Sequence, residues 1–114
     1  CGEGTHAIRV ECRIGGSDLN PYLALAAQIA AGIAGIEESL DLPLAAKGDI
    51  YKGDTGLIVD NLAEARTHMM ASDMLRAAMG DEVIEHYARC AEWEIEEFSR
   101  IVTDWEVARG FEKA

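Results

Sequence analysis

The sequence predicts a mainly α-helical chain with one N-terminal β-strand whose partner strands lie upstream. Three observations predict it. Residues 6–14 alternate apolar and polar side chains with a period of two. From Asn20 onward, apolar residues recur at helical spacing behind repeated helix-start signals. No second alternating run follows, and a lone strand with both edges open is not stable by itself.

Taking the elements in order, the strand covers about 6–14. Ile8, Val10, Cys12 and Ile14 point one way, while Arg9, Glu11 and Arg13 point the other. Gly15, Gly16, Ser17 and Asp18 then make a loop. Asn20-Pro21 is a helix start, because Asn can accept from orphan N–H groups and Pro at the first helical position lacks an N–H. The core helix is expected over about 21–40. Leu25, Ile29, Ile33, Ile36 and Leu40 form one stripe; Ala24, Ala27, Ala31 and Gly35 form a face that allows close approach. Gly32 and Gly35 in its interior each cost about 1 kcal/mol against Ala. A helix apolar on nearly every side is expected to be buried in a larger body.

Residues 41–60 read as a connector, with Pro43 and turn signals at Gly48-Asp49, Gly53-Asp54 and Gly56. Asn61 with Glu64 resembles a capping box, which places a helix over about 62–70. Ser72 can cap a short helix over about 73–79 that ends at Gly80. Asp81 is expected to cap the longest helix, about 82–102. Its inner stripe would be Ile84, Tyr87, Ala91, Ile95, Phe98 and Val102, and its outer face Glu85, Glu92, Glu96 and Glu97. Thr103 with Glu106 is a second capping-box pattern, which opens a last helix over about 104–111.

The bulk numbers narrow the function classes. The chain has 114 residues, 49% hydrophobic and 27% charged, which suits one domain or part of one. Its net charge of -11 repels phosphate backbones and anionic lipid, so neither nucleic acid nor a membrane surface is an expected partner. The apolar run Tyr22 to Ile36, interrupted by Gln28, is shorter than the roughly 18 residues of a membrane span. Cys1, Cys12 and Cys90 form no CxxC pair and read as reduced thiols of a cytoplasmic protein. The chain does not open on Met and runs almost at once into the strand, so it is expected to be a piece of a longer protein.

One constellation carries chemistry. Side chains two apart on a strand lie about 6.5–7 Å apart on one face, so the Glu11 carboxylate sits between the Arg9 and Arg13 guanidiniums. Hard divalent cations take oxygen ligands such as Glu11. Guanidiniums bind phosphate and carboxylate through a planar fork. Taken alone, the same pattern also describes a solvated strand face whose charges neutralise each other, and such exposed pairs contribute little.

The neighbouring residues shift that balance. Arg9-Val10-Glu11-Cys12-Arg13-Ile14, then Gly15-Gly16-Ser17-Asp18-Leu19-Asn20-Pro21-Tyr22-Leu23-Ala24, resembles a signature of the glutamine synthetase family. The likeness continues in Ala31-Gly32-Ile33-Ala34-Gly35-Ile36, in Asn61-Leu62-Ala63-Glu64-Ala65 and in Val102-Thr103-Asp104-Trp105-Glu106. It covers essentially the whole chain and is most specific from Arg9 to Ala24.

The resemblance implies an α+β fold, with residues 1–114 as the C-terminal portion of its catalytic domain. It implies an ATP-dependent glutamate–ammonia ligase of nitrogen metabolism that forms glutamine through a γ-glutamyl phosphate, with Mg²⁺ or Mn²⁺ as cofactor. By resemblance, Glu11 is a metal ligand, Arg13 binds glutamate and steadies the phosphorylated intermediate, and Arg9 lies on the nucleotide side. The rest of the site would precede Cys1, so the chain alone is expected to be inactive. A homo-oligomer is implied for the full-length protein. The Gly15-Gly16 loop departs from the Pro-containing loop of the best-known glutamine synthetases and looks closer to a divergent branch that joins glutamate to polyamines or other amines. A γ-glutamylpolyamine or other γ-glutamylamine ligase is therefore the alternative. A catalytically silent homologue kept as a structural or binding module is the alternative from another class.

Other signals are set aside. His6, His68 and His86 lack metal-site spacing, and His86 with Cys90 supplies only two ligands. Gly2 and Gly4 around Glu3 precede no helix, so they do not form a phosphate loop. Met69, Met70, Met74 and Met79 read as core fillers, and Glu92 to Glu97 as a solvated face. For Trp93 and Trp105, core packing is the simpler expectation beside an interface role.

Overall fold

A computed structural model of the chain describes residues 4–45 and 58–113. Among the described residues, the cap signals and apolar spacing translate into five helices: α1 (Pro21–Glu37), α2 (Leu62–Met70), α3 (Asp73–Met79), α4 (Asp81–Ser99) and α5 (Asp104–Glu112). Backbone contacts divide them between two units, Cys1–Ile58 and Val59–Ala114. Gly2, Glu3 and the turn signals at Gly48-Asp49, Gly53-Asp54 and Gly56 lie outside the described residues.

In the first unit, the strand expected over 6–14 is not formed, and there is no strand among the described residues. The reason is the one that made the strand incomplete in sequence. A strand needs a ladder partner and an apolar layer under one face, and the described residues of this unit supply neither. Ile8 and Ile14 are exposed, and Val10 is 98% exposed. The turn before the segment is held locally, with the Ala7 N–H donating to Thr5 Oγ1 at 3.1 Å.

α1 begins as its sequence dictates. Asn20 is extended, and its side chain accepts from the N–H groups of Tyr22 and Leu23, with Pro21 at the first helical position. Its end falls at Glu37 rather than Leu40. Ser39 adopts φ 52, the left-handed region, and the Leu40 N–H reaches back to Gly35 O at 3.0 Å while the Ser39 N–H reaches Ile36 O at 3.2 Å. That is a Schellman stop with Ser in the position usually given to Gly, and it satisfies carbonyls that a continuing helix would have used. The expected burial of α1 is not seen: the Leu25, Ile29, Ile33 and Ile36 stripe is exposed, and only the opposite side around Leu23, Ala27 and Ala34 is half-covered. No described element of this unit is available to cover the stripe.

In the second unit, α4 packs against α2 and α3. Asn61, Ser72 and Thr103 each cap the helix that follows by accepting a backbone N–H three residues on. The expected Asp81 cap is replaced. Gly80, at φ 86, is both the last cap of α3 and the first of α4 and makes no side-chain cap bond. A non-glycine residue is strained at that angle. Asp81 instead holds the Arg76 guanidinium at 2.7 Å. The longest helix stops at Ser99, not Val102. The Thr103 N–H is taken by Glu106 Oε2 at 2.8 Å in the capping box of α5, so it cannot extend α4.

The core is narrow. Ile84 and Ala88 are each 2% exposed, with Ala91 and Ile95 half-buried below them. The inner stripe therefore runs 84, 88, 91, 95. Tyr87, Phe98 and Val102 are exposed, unlike the expectation. The four methionines are half-buried, as gap-filling side chains would be. Trp93 and Trp105 are exposed rather than in the core, and the Arg109 guanidinium lies 5.5 Å from the Trp105 ring centre. No helix among the described residues is long and apolar enough to cross a membrane.

Two arginines from the second unit's first helices stitch it together. Arg66 Nε donates to Ala88 O at 2.9 Å, and its Nη2 lies 3.7 Å from Glu92. Arg76 Nε donates to Met70 O at 2.9 Å, an orphan carbonyl at the end of α2, and its two Nη atoms hold Asp81 and Glu85. These bonds raise the Arg76 pKa above its ordinary value, first through Asp81 and then Glu85. Arg89 and then Arg66 hold the Glu92 carboxyl below the usual range.

Candidate functional site

The candidate site lies on the segment before α1, where sequence placed Arg9, Glu11 and Arg13. The structure brings two of them into direct contact: Arg13 Nε donates to Glu11 Oε1 at 2.5 Å. Arg9 donates through Nη1 to its own segment, at Ala7 O, 3.3 Å away. The Arg13 side chain is 81% exposed and that of Glu11 34%. All three residues are joined to α1 by the short loop 14–20, and α1 is anchored by the Asn20 cap.

The chemistry open to this arrangement follows from its donors. Glu11 offers hard carboxylate oxygens of the kind Mg²⁺ or Mn²⁺ takes. Among the described residues, however, no group of three or more His, Cys, Asp or Glu able to hold a metal occurs. Metal binding at Glu11 thus fits its donor chemistry but needs ligands from elsewhere. Arg13 presents its guanidinium to solvent, where it can meet an anionic substrate group.

His86 and Cys90 share a face of α4, with Nε2 and Sγ 3.7 Å apart, and both are exposed.

One feature of the site had no signal in the sequence. A Cβ on Gly15 would fall 2.1 Å from Leu19 Cδ2, and one on Gly16 would fall 2.8 Å from Asp18 Oδ1. The Leu19 N–H closes the same turn onto Gly16 O at 3.4 Å. In the sequence the two glycines mark a loop and its departure from the Pro-containing form; the structure adds that the ends of the Leu19 and Asp18 side chains lie over them.

Residues 1–110 match the family model of the glutamine synthetase catalytic domain. The chain belongs to the glutamine synthetase family. Among its relatives, it is 43% identical over 107 residues to a gamma-glutamylethanolamide synthetase of Streptomyces coelicolor, covering 94% of this chain and 23% of that protein. It is 40% identical over 106 residues to a glutamate–isopropylamine ligase of a Pseudomonas species, covering 90% and 23%. It is 34% identical over 115 residues to type-1 glutamine synthetase 2 of Dictyostelium discoideum, covering 96% and 22%. The chain spans about a quarter of the length of the curated relatives it matches. The glutamine synthetase resemblance read from Arg9 to Ala24, with its lean towards the amine-ligating branch, is borne out by these matches.

Proposed function

We propose that the chain is the C-terminal portion of an ATP-dependent glutamate ligase, and that its amine substrate is a small primary amine rather than ammonia. The carrying observation is the match of residues 1–110 to the glutamine synthetase catalytic domain, with Glu11 and Arg13 paired on the segment that leads into the Asn20-capped helix. The matches to two amine ligases at 43% and 40% identity, against 34% to a glutamine synthetase, support the amine. Ammonia is the second reading, supported by the several relatives named glutamine synthetase.

In this reading, Arg13 binds the glutamate carboxylate and offsets charge on the γ-glutamyl phosphate before the amine displaces phosphate. Arg9 lies on the nucleotide side, and Glu11 is one ligand of a divalent cation. When bound, that cation would supply Lewis-acid neutralisation of the transferring phosphoryl group. Glu11 would be one of the residues holding that cation, and Arg13, which is paired with Glu11 here, would meet the substrate carboxylate. The remaining ligands, the nucleotide pocket and the cover for the exposed α1 stripe would come from the rest of the same catalytic domain, within a cytoplasmic homo-oligomer.

Phosphate release by the full-length protein, with ATP and glutamate and either ammonia, ethanolamine, isopropylamine or spermidine, tests the reading. Turnover with ethanolamine or isopropylamine well above ammonia is expected, and residues 1–114 alone should release none. Preference for ammonia would make the protein a glutamine synthetase. Absence of turnover with every amine would make it a silent homologue.

A further inference from the structure

We propose that His86 and Cys90 form a two-ligand site for a borderline-soft divalent cation, Zn²⁺ above all, on the open face of α4. The site is separate from Glu11 and does not depend on the ligase reading.

Helix geometry builds the pair. Residues four apart on an α-helix stand one above the other, and Nε2 of His86 lies 3.7 Å from Cys90 Sγ. A tetrahedral zinc, with Zn–S of about 2.3 Å and Zn–N of about 2.0–2.1 Å, holds its sulfur and nitrogen about 3.5–3.6 Å apart. The two donors therefore already stand close to the separation that one ion between them requires. As a hydrogen bond the contact gains little, because a thiol is a weak donor.

The surroundings admit an ion. Both residues are exposed, and the buried residues of α4, Ile84 and Ala88, lie on another side of the helix. Ligation there disturbs no core packing. The recess that holds the pair is also lined by Arg89, Trp93 and Glu94. The Arg89 guanidinium is engaged by Glu92 at 2.6 Å, which offsets its charge. The His86 ring stands edge-on to Tyr87, with centroids 5.4 Å apart.

Ligand type selects the ion. Imidazole and thiolate suit Zn²⁺, whereas hard Mg²⁺ takes oxygen, so the cation proposed at Glu11 does not compete here. On binding, the Nε2 lone pair and the Cys90 sulfur bond the cation, and the thiol proton passes to solvent. Water fills the other positions, since the described residues supply no third ligand. A bound ion ties two successive turns of α4 together and favours the folded helix by mass action.

Co²⁺ serves as the spectroscopic substitute for Zn²⁺, because a cobalt–thiolate bond gives a charge-transfer absorption that oxygen ligands do not. The reduced full-length protein is titrated with Co²⁺ under saturating Mg²⁺, beside Cys90→Ser, His86→Gln and Cys12→Ser. Cys90→Ser should lose a band equivalent to one Co²⁺ per chain, and Zn²⁺ should bleach that band in the wild type. Cys12→Ser should keep it. In His86→Gln the apparent affinity should fall by about tenfold or more, since losing a ligand costs at least what losing a ligand's hydrogen-bond partner costs. A wild type without the band, or a band that survives Cys90→Ser, overturns the proposal. Unchanged affinity in His86→Gln also overturns it, because a single thiolate would then account for the binding. A second measurement needs no variant: Zn²⁺ should slow iodoacetamide labelling of Cys90 in the wild-type protein, and an unchanged labelling rate overturns the site.

Discussion

Arg13 Nε and Glu11 Oε1 stand 2.5 Å apart, two residues from one another on a segment with no helical or strand ladder. The pair places a guanidinium beside the one carboxylate proposed to hold a divalent ion. The two side chains have different tasks in that proposal, and substitution separates them.

In the full-length enzyme, Glu11→Gln keeps size but loses charge. It should weaken divalent-metal binding, and excess Mg²⁺ or Mn²⁺ should restore part of the rate. On the proposed role, Arg13→Ala would remove a contact that strengthens in the transition state, with an expected loss of about 100-fold or more in kcat/KM that metal cannot replace. Metal titrations of the steady-state rate check both. Equal rescue of the two variants, or wild-type kinetics in either, would mean that the 9–13 segment is a solvated charged surface.

The second unit rests on Ile84 and Ala88, and its stability should follow them. Ile84→Ala should destabilise the chain by about 2–4 kcal/mol, since it opens a cavity where α4 meets its neighbours. Tyr87→Ala, at an exposed position three residues on from Ile84, should cost less than about 1 kcal/mol. Urea titrations followed by helical circular dichroism check the contrast. Equal losses would restore Tyr87 to the inner stripe.

The capping box of α5 gives a pH dependence. Bonds to Glu106 from the Thr103 backbone N–H, and then from its hydroxyl, hold the Glu106 carboxyl below the ordinary value of 4.5. A carboxyl whose folded pKa is depressed contributes stability that is present above the unfolded value and lost as pH falls through the folded one. Helix content at α5 should therefore decline as acid is added below about 4.5. In Glu106→Gln the amide keeps the box but does not titrate, so this part of the decline should vanish. Helical circular dichroism or amide exchange across Asp104–Glu112, in both proteins, measures it.

Most of the helical layout was legible in the chain because helix starts are local events. Asn20, Asn61, Ser72 and Thr103 each bond N–H groups two or three residues on, and no distant partner is needed. Where one residue had two possible partners, local reading failed. Asp81 was free to cap α4, but Arg76 reaches across from α3 and takes it, and Gly80 serves both helices. Nothing in the spacing of Arg66 or Arg76 advertises partners on another helix.

The family and the segment that bears the candidate site could be recognised from residue order alone. The motif from Arg9 to Ala24 depends on chemistry carried by each side chain in turn. Only the tertiary structure decided which face of α4 is inside, because 84, 87, 91 and 95 fit the helical period almost as well as 84, 88, 91 and 95, and the neighbouring α2 and α3 choose between them. It also decided against the strand. Alternation over 6–14 specifies two faces, but a ladder requires a second backbone within hydrogen-bond reach, and no described residue provides one.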